Sequence, residues 1–424
     1  MTTRQDALAL DARDPLAALR AQFSLPEGVI YLDGNSLGVL PTATPARVAA
    51  AVADEWGSGL IRSWNSAGWV DLPRRVGDKI GRLIGAGPGQ TLAADSTSVN
   101  LFKVLSAAIA IVKAGGDTQR RVIVSERSNF PTDLYIAESL ARQHGFTLQL
   151  VEPDEIAAQF DSSLAVLMLT HVNYRTGRMH DMAALTRAAH ACGALALWDL
   201  AHSAGAVPVD LLGADADFAV GCGYKYLNGG PGAPGFLWVN PRQLERMERD
   251  GLWQPLAGWF GHAAPFEFSP HYRPAAGIVR FSCGTPPVLG LTALETGVDT
   301  VLAAESLGGL AALRRKSLAL TCHFITLVEK HCAGRGLSVI TPRTEGERGS
   351  QVNLARAEGA YAIVQALIAR GVIGDFRAPD NLRFGFTPLY TRFVDVWDAV
   401  DHLRQVLESG EWKEARFHQK AAVT

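Results

Sequence analysis

The sequence predicts an α/β protein: a doubly wound, mostly parallel sheet flanked by helices, followed by a smaller C-terminal α/β domain. Three observations carry that expectation. Between about residues 90 and 240, short apolar runs rich in β-branched residues alternate with stretches long enough for a helix, the pattern of βα units. The helical stretches run into glycines that can cap them. After about residue 295 the chain changes character, and 424 residues suffice for two or three domains.

Taken in order, YLDGNSLGVLP (31–41) is dense in turn-formers and reads as a connecting stretch rather than a strand or helix. Candidate strands follow at RVIVS (121–125), TLQLVE (147–152), LAVLML (164–169), ALALW (194–198), DFAVGC (217–222) and GFLWVN (235–240). Between them, TDLYIAESLARQHG (132–145) and MAALTRAAHACG (182–193) fit helices that stop at Gly145 and Gly193. Beyond 295, LAALRRKSLALTCHFITLVEKHC is helical, with weaker strand signals near LSVITP and NLRFGFTP. The last ten or so residues, ending FHQKAAVT, are expected to fray. No repeat or low-complexity segment interrupts this order.

Composition narrows the partners. Charged residues make up 19% and the net charge is −2, so nothing in the overall charge favours nucleic acid or an anionic membrane. A small-molecule ligand is the expectation. The five cysteines (Cys192, Cys222, Cys283, Cys322, Cys332) are odd in number and scattered, which suits a reducing compartment. The N-terminus lacks the apolar core of a secretory signal, and no run of about 18 apolar residues suggests a membrane-spanning helix. A cytoplasmic protein is expected.

In a doubly wound sheet, chemistry gathers just beyond the strands' carboxyl ends. Asp199 directly follows ALALW, and Lys225 lies shortly after DFAVGC in a glycine-bounded turn. A lysine in a partly apolar pocket can form a Schiff base, and a carboxylate can keep a cofactor's ring nitrogen protonated. Either residue alone is more often a loop cap or a surface lysine; the pair together is what points to this chemistry. Ser96, Thr97, Ser98, Val99 and Asn100 open an apolar-periodic helix, either as a plain N-cap or as a phosphate cradle. Ser128 to Asp133 forms a proline turn in which Phe130 could cover a planar ring, and His202 stands three residues after Asp199. Gly230 to Gly235 satisfies G-x-G-x-x-G in letters, but it holds two prolines and runs into a strand instead of a helix, so no dinucleotide site is expected. His323 and His331 lack further ligands, and no metal site is expected.

D-L-A-H-S-A-G (199–205), G-Y-K-Y-L-N-G-G-P-G (223–232) and G-W-F-G-H (258–262) together resemble the kynureninase family, pyridoxal 5'-phosphate enzymes of the aspartate-aminotransferase fold, fold type I. The similarity runs from Y-L-D-G-N-S-L-G near residue 31 to R-F-G-F-T-P-L-Y near 390. It implies a large domain with a seven-stranded sheet over 45–295, a small domain over 296–424, and an N-terminal segment, 1–44, packed on the small domain and a dimer partner. It also implies catalytic roles for Lys225, which carries the cofactor, Asp199, which pairs with its ring nitrogen, and Tyr224, a proton relay. His202 would support Asp199, and Phe130 would stack on the ring. Thr97, Ser98, Asp133, Thr170, Tyr224, Trp259 and Thr285 would be cofactor contacts, with Trp259 and Thr285 reaching across a homodimer interface. Arg383 would grip the substrate carboxylate, and Ser36 and Trp64 would touch the substrate. R-S-W-N around Trp64, with Thr285, is similar to bacterial members that prefer kynurenine to 3-hydroxykynurenine. The implied reaction is hydrolytic Cβ–Cγ cleavage of L-kynurenine to anthranilate and L-alanine, in tryptophan catabolism or NAD supply. The alternatives are a cysteine desulfurase or a small-amino-acid aminotransferase of the same fold. A cofactor-binding regulator would need a DNA-binding module that the sequence does not suggest.

Overall fold

The computed structural model describes residues 3–420. In chain order its strands are β1 (Ile30–Tyr31), β2 (Thr91–Ala93), β3 (Val122–Glu126), β4 (Thr147–Val151), β5 (Leu164–Thr170), β6 (Leu195–Asp199), β7 (Phe218–Gly221), β8 (Phe236–Val239), β9 (Ser338–Val339), β10 (Gln351–Ala355), β11 (Val372–Ile373), β12 (Asp375–Arg377) and β13 (Asn381–Gly385). Seven form the large sheet in the order β2-β8-β7-β6-β5-β3-β4. The five from β4 through β7 run parallel. β8 and β2 close the edge antiparallel, so GFLWVN joins the sheet reversed, and TLA is a seventh strand that no sequence run announced.

Every residue of β5 and β6 is buried, as expected of strands covered on both faces. The helices obey their end signals. Ser96 accepts the Val99 N–H to open Thr97–Ala114, and Asp181 accepts the Ala184 N–H to open Met182–Ala191. Pro131 begins Pro131–His144, and Gly145 ends it in the left-handed region at φ +70°. By length and composition Thr97–Ala114 could cross a membrane, which the expectation from apolar runs overlooked; 61% of it is buried inside the protein.

A second, antiparallel sheet, β12-β13-β10-β9, belongs to a separate apolar cluster that includes Phe324 of helix Gly309–His331, Ile363 of Ala360–Ala369 and Val400 of Phe393–Ser409. The N-terminal segment is laced to this part. β1 pairs in parallel with β11, and the Asp11 carboxylate accepts the Phe393 and Val394 N–H groups at 2.7 and 3.0 Å. Asp14 pairs with buried Lys316 at 2.7 Å. The connecting stretch 31–41 therefore begins on a strand residue before turning. The expected fraying at the C-terminus is overturned through residue 418: Trp412 and Phe417 are buried in the second cluster, and Ala415–His418 forms a short helical turn. Apolar burial of two aromatics outweighs chain-end entropy there. Residues 421–424 lie outside the described residues.

Candidate active site

The carboxyl ends of the parallel strands bring most of the expected residues into one cleft. β5 ends at Thr170 and β6 at Asp199; the turn after β3 carries Phe130, and Asp133 sits in the first turn of the helix Pro131–His144 that follows; Tyr224 and Lys225 follow β7. These side chains, with His202 and with Thr97 and Ser98 at the helix start, line the cleft, and Tyr174 completes its wall.

Lys225 Nζ lies 3.1 Å from His202 Nε2, which is also 3.1 Å from the Asn35 carbonyl oxygen. One ring nitrogen cannot serve both: it donates to Asn35 or accepts from the lysine. Burial, then the charges of Lys225 and Arg383, push the His202 pKa far below the ordinary value, so the ring is neutral. Stretch 31–41 reaches this lysine closely. Gly38 N–H donates to the Tyr224 carbonyl at 2.8 Å, and a Cβ at Gly38 would stand 2.5 Å from the Lys225 carbonyl.

Asp199 and Asp133 form a buried carboxyl pair. Burial raises both pKa values, and the neighbouring charge of Asp199 raises Asp133 further, while Lys225 opposes both shifts. Asp199 Oδ1 accepts the Ala201 N–H at 2.8 Å. The Thr170 hydroxyl donates to Asn129 Oδ1, which also accepts the Phe130 N–H at 2.6 Å, and Asn129 Nδ2 donates to Ser125 at 3.1 Å. Asn129 was not anticipated as a site residue; its position in the turn directly after a strand was the available signal. Phe130 meets Tyr174 edge-on at 5.3 Å. Burial, then Cys222 and Asp199, raise the Tyr224 pKa, so its hydroxyl is protonated.

Thr97 and Ser98 sit where free amides and the helix dipole favour an anion. The turn before them is held by Asp95, at φ +46°, ion-paired with the buried Lys103, whose amine also donates to the Phe281 carbonyl at 2.7 Å.

Arg383 is buried on β13 beside Ser36. Its fork was expected to face a substrate, but Asp375 already occupies it, accepting from Nε at 2.7 Å and Nη2 at 2.5 Å; a buried guanidinium needs a counterion on its own chain. Burial, then the Asp375 charge, raise the Asp33 carboxyl to about 7, against the opposing pull of Arg383.

Trp64, Trp259 and Thr285 do not line the Lys225 cleft. Trp64 and Thr285 border a separate apolar cavity of about 430 Å³ with Trp56 and Trp69. Trp259 packs on Phe260 at 4.4 Å and borders another cavity, of about 350 Å³. No group of three or more His, Cys, Asp or Glu placed to hold a metal ion occurs among the described residues.

The architecture matches solved structures of low sequence identity: a cysteine desulfurase from Thermococcus onnurineus NA1 (TM-score 0.76, 17% identity, covering 92% of this chain and 98% of that one) and the cysteine desulfurase CsdA from Escherichia coli (0.75, 19%, 93% and 98%). The fold is that of the fold type I pyridoxal-phosphate enzymes. Kynureninases from Pseudomonas fluorescens and Burkholderia pseudomallei (strain 1106a) are 57% and 56% identical over 427 aligned residues, covering 100% of both chains in each case. The model of the kynureninase C-terminal domain matches residues 313–403. The chain belongs to the kynureninase family.

Proposed function

We propose that this chain uses pyridoxal 5'-phosphate to cleave L-kynurenine hydrolytically between Cβ and Cγ, releasing anthranilate and L-alanine in tryptophan catabolism, with 3-hydroxykynurenine the poorer substrate. The observation that carries this reading is the meeting, in one cleft, of Lys225, the buried Asp133–Asp199 pair and the open helix start at Thr97. The residues fit the cofactor. Asp133 Oδ2 is buried without a hydrogen-bond partner, and a protonated ring nitrogen brings a donor to this carboxyl pair.

When bound, pyridoxal phosphate supplies an electron sink for the substrate's α-carbon. The protein does the rest. Amides and hydroxyls of Thr97 and Ser98 would hold the phosphate, Phe130 would cover the ring, and Asp199 would stabilise positive charge on the ring nitrogen. The Lys225 amine removes the α-proton, with the neutral His202 ring 3.1 Å away accepting from it. Tyr224, held protonated by burial, donates a proton near the phosphate end. Ser36 and Arg383 receive the substrate carboxylate, and Trp64 borders the aryl group.

The same reading includes a homodimer with shared active sites. It is supported by the placement of Trp64, Trp259 and Thr285 outside the lining of their own chain's cleft. Exposed apolar side chains add to it: Trp56 at 58%, Ile61 at 76% and Phe268 at 79%. The division into 1–44, 45–295 and 296–424, and a cytoplasmic location suggested by five free cysteines, belong to it too. A desulfurase reading is disfavoured because Cys283, in the loop before Val288, has its thiol pKa raised by burial, the reverse of an activated nucleophile.

The test is to load the purified protein with cofactor, add kynurenine and follow anthranilate fluorescence together with alanine. Equal amounts of both, from a species sedimenting as a dimer, are expected. Production of sulfide from cysteine, or of a keto acid in place of alanine, would overturn the reading.

A further inference from the structure

Two guanidinium groups converge on one carboxylate at the edge of the cleft. Asp375 and Arg377 are two residues apart on β12, so both point to the same face, and Arg383 is the cross-strand partner of Asp375 on β13. Asp375 Oδ2 takes Arg383 Nη2 at 2.5 Å and Arg377 Nη2 at 2.6 Å. Ser36 Oγ takes the same two nitrogens at 2.7 and 3.3 Å.

The donors of the two arginines are unequally spent. Arg383 uses Nε and Nη2 on Asp375, Nη2 again on Ser36, and Nη1 on the Tyr174 carbonyl at 3.2 Å. Of the five N–H groups of a guanidinium, one is left. That cannot form the two-pronged contact that makes arginine a good carboxylate receptor. Arg377, in contrast, has a buried Nε without any partner. A buried donor left unpaired is costly, which marks a missing acceptor. The pair adjoins the cleft: Arg383 donates to the carbonyl of Tyr174, and Asn35, next to Ser36, meets His202 through its carbonyl, while both Tyr174 and His202 line the cleft. With the Asp33 carboxyl held protonated up to about pH 7, the two cations meet only one full anion in Asp375, leaving room for a second.

We propose that Arg377 is a second carboxylate-binding residue, which together with Arg383 and Ser36 receives the α-carboxylate of the substrate. The inference rests on the reading that the substrate is an amino acid, and it assigns Arg377 a direct contact where the sequence pointed to Arg383 alone. Asp375 is then a positioning residue that holds both guanidiniums in register.

The test compares cofactor-loaded wild type with Arg377→Gln and Arg377→Lys, titrating each with L-alanine and with ethylamine, its decarboxylated counterpart, through the change in cofactor absorbance. A charge-assisted contact predicts that Arg377→Gln weakens L-alanine binding at least fivefold more than it weakens ethylamine binding, and that Arg377→Lys recovers part of the loss. In turnover, KM for kynurenine rises while kcat falls less. A selective loss below fivefold, or an equal loss for both probes, overturns the proposal. If wild type fails to make anthranilate, the functional reading falls, while the alanine-to-ethylamine comparison still judges Arg377.

Discussion

Replacing Asp199 by Asn exchanges a buried carboxylate for an amide of the same shape, and it should separate catalysis from stability. Asp199 is 4% exposed at the end of β6, where the amide oxygen can still accept the Ala201 N–H at 2.8 Å. What is lost is charge. Opposite unit charges about 3 Å apart at an effective dielectric of about 20 attract by about 5 kcal/mol. Asp133 beside it remains to face the ring nitrogen less directly, so the net loss is about 3 to 5 kcal/mol, or between about two and four orders of magnitude in kcat. Stability should move the other way. Burial raises the Asp199 pKa, so its ionised form weakens the native state, and that weakening grows as pH rises through the folded-state pKa. The apoprotein of Asp199→Asn should therefore melt at or above wild type at pH 7, with the gap growing as pH rises from the acid side through the folded-state pKa. Anthranilate fluorescence gives kcat, and calorimetry of the apoprotein gives the melting temperature. A variant keeping kcat within tenfold of wild type would refute the ring-nitrogen assignment. A variant losing activity and melting lower would show that Asp199 is needed for folding instead.

Two further outcomes follow from groups outside the central cleft. Asp33, moved from 3.8 to about 7 by burial and Asp375, makes the native state less stable as pH rises from about 4 to 7; the pH-dependent part is at most about 4 kcal/mol and smaller in so far as water reaches the group. Asp33→Asn should flatten that limb in urea titrations at several pH values, and an unchanged slope would show that Asp33 ionises normally. Lys103→Met removes a fully buried cation and leaves Asp95, about a third exposed, without its counterion, at a cost of about 2 to 3 kcal/mol in apoprotein unfolding. Because Asp95 leads into Thr97 and Ser98, inorganic phosphate should also compete more weakly for the cofactor site in this variant; unaltered stability and phosphate competition together would dismiss the Asp95–Lys103 clamp.

Much of the large sheet was legible because its signals are local. β3 through β8 coincide within a residue or two with apolar runs; strands such as β5 and β6, buried on both faces, need continuous apolar sequence, while the edge strand β4 alternates exposed and partly buried residues. The residues after those runs pointed to Asp199 and Lys225 for the same reason, whereas Thr170 and Tyr224 came only from the family resemblance. What escaped was set by distant partners. β2 is three residues long and exists as a strand because β8 pairs with it; β12 is likewise short and holds Asp375 and Arg377. No periodicity window resolves so short an element, so the carboxylate beneath Arg383 could not be anticipated. Asn35 and Ser36 reach the site because β1 pairs with β11 and the Gly385 N–H donates to the Leu32 carbonyl at 2.7 Å, contacts spanning more than 300 residues. Gly385 is required there, because a Cβ would stand 1.9 Å from Asn35 Oδ1.

Trp64, Trp259 and Thr285 show a different limit. Motif resemblance named them as site residues, and motifs do not state which copy of a chain a residue serves. Within one chain these side chains border cavities of their own, and Trp259 remains 42% exposed. Trp259 does not stand alone: it packs on the exposed Phe266, which packs on Phe268, and a contiguous exposed apolar patch of this kind marks an interaction surface. A partner subunit that brings them over its neighbour's cofactor would account for both their exposure and their absence from the local cleft. Such a site would be complete only after assembly, and activity would then fall with dilution below the dimer's dissociation constant.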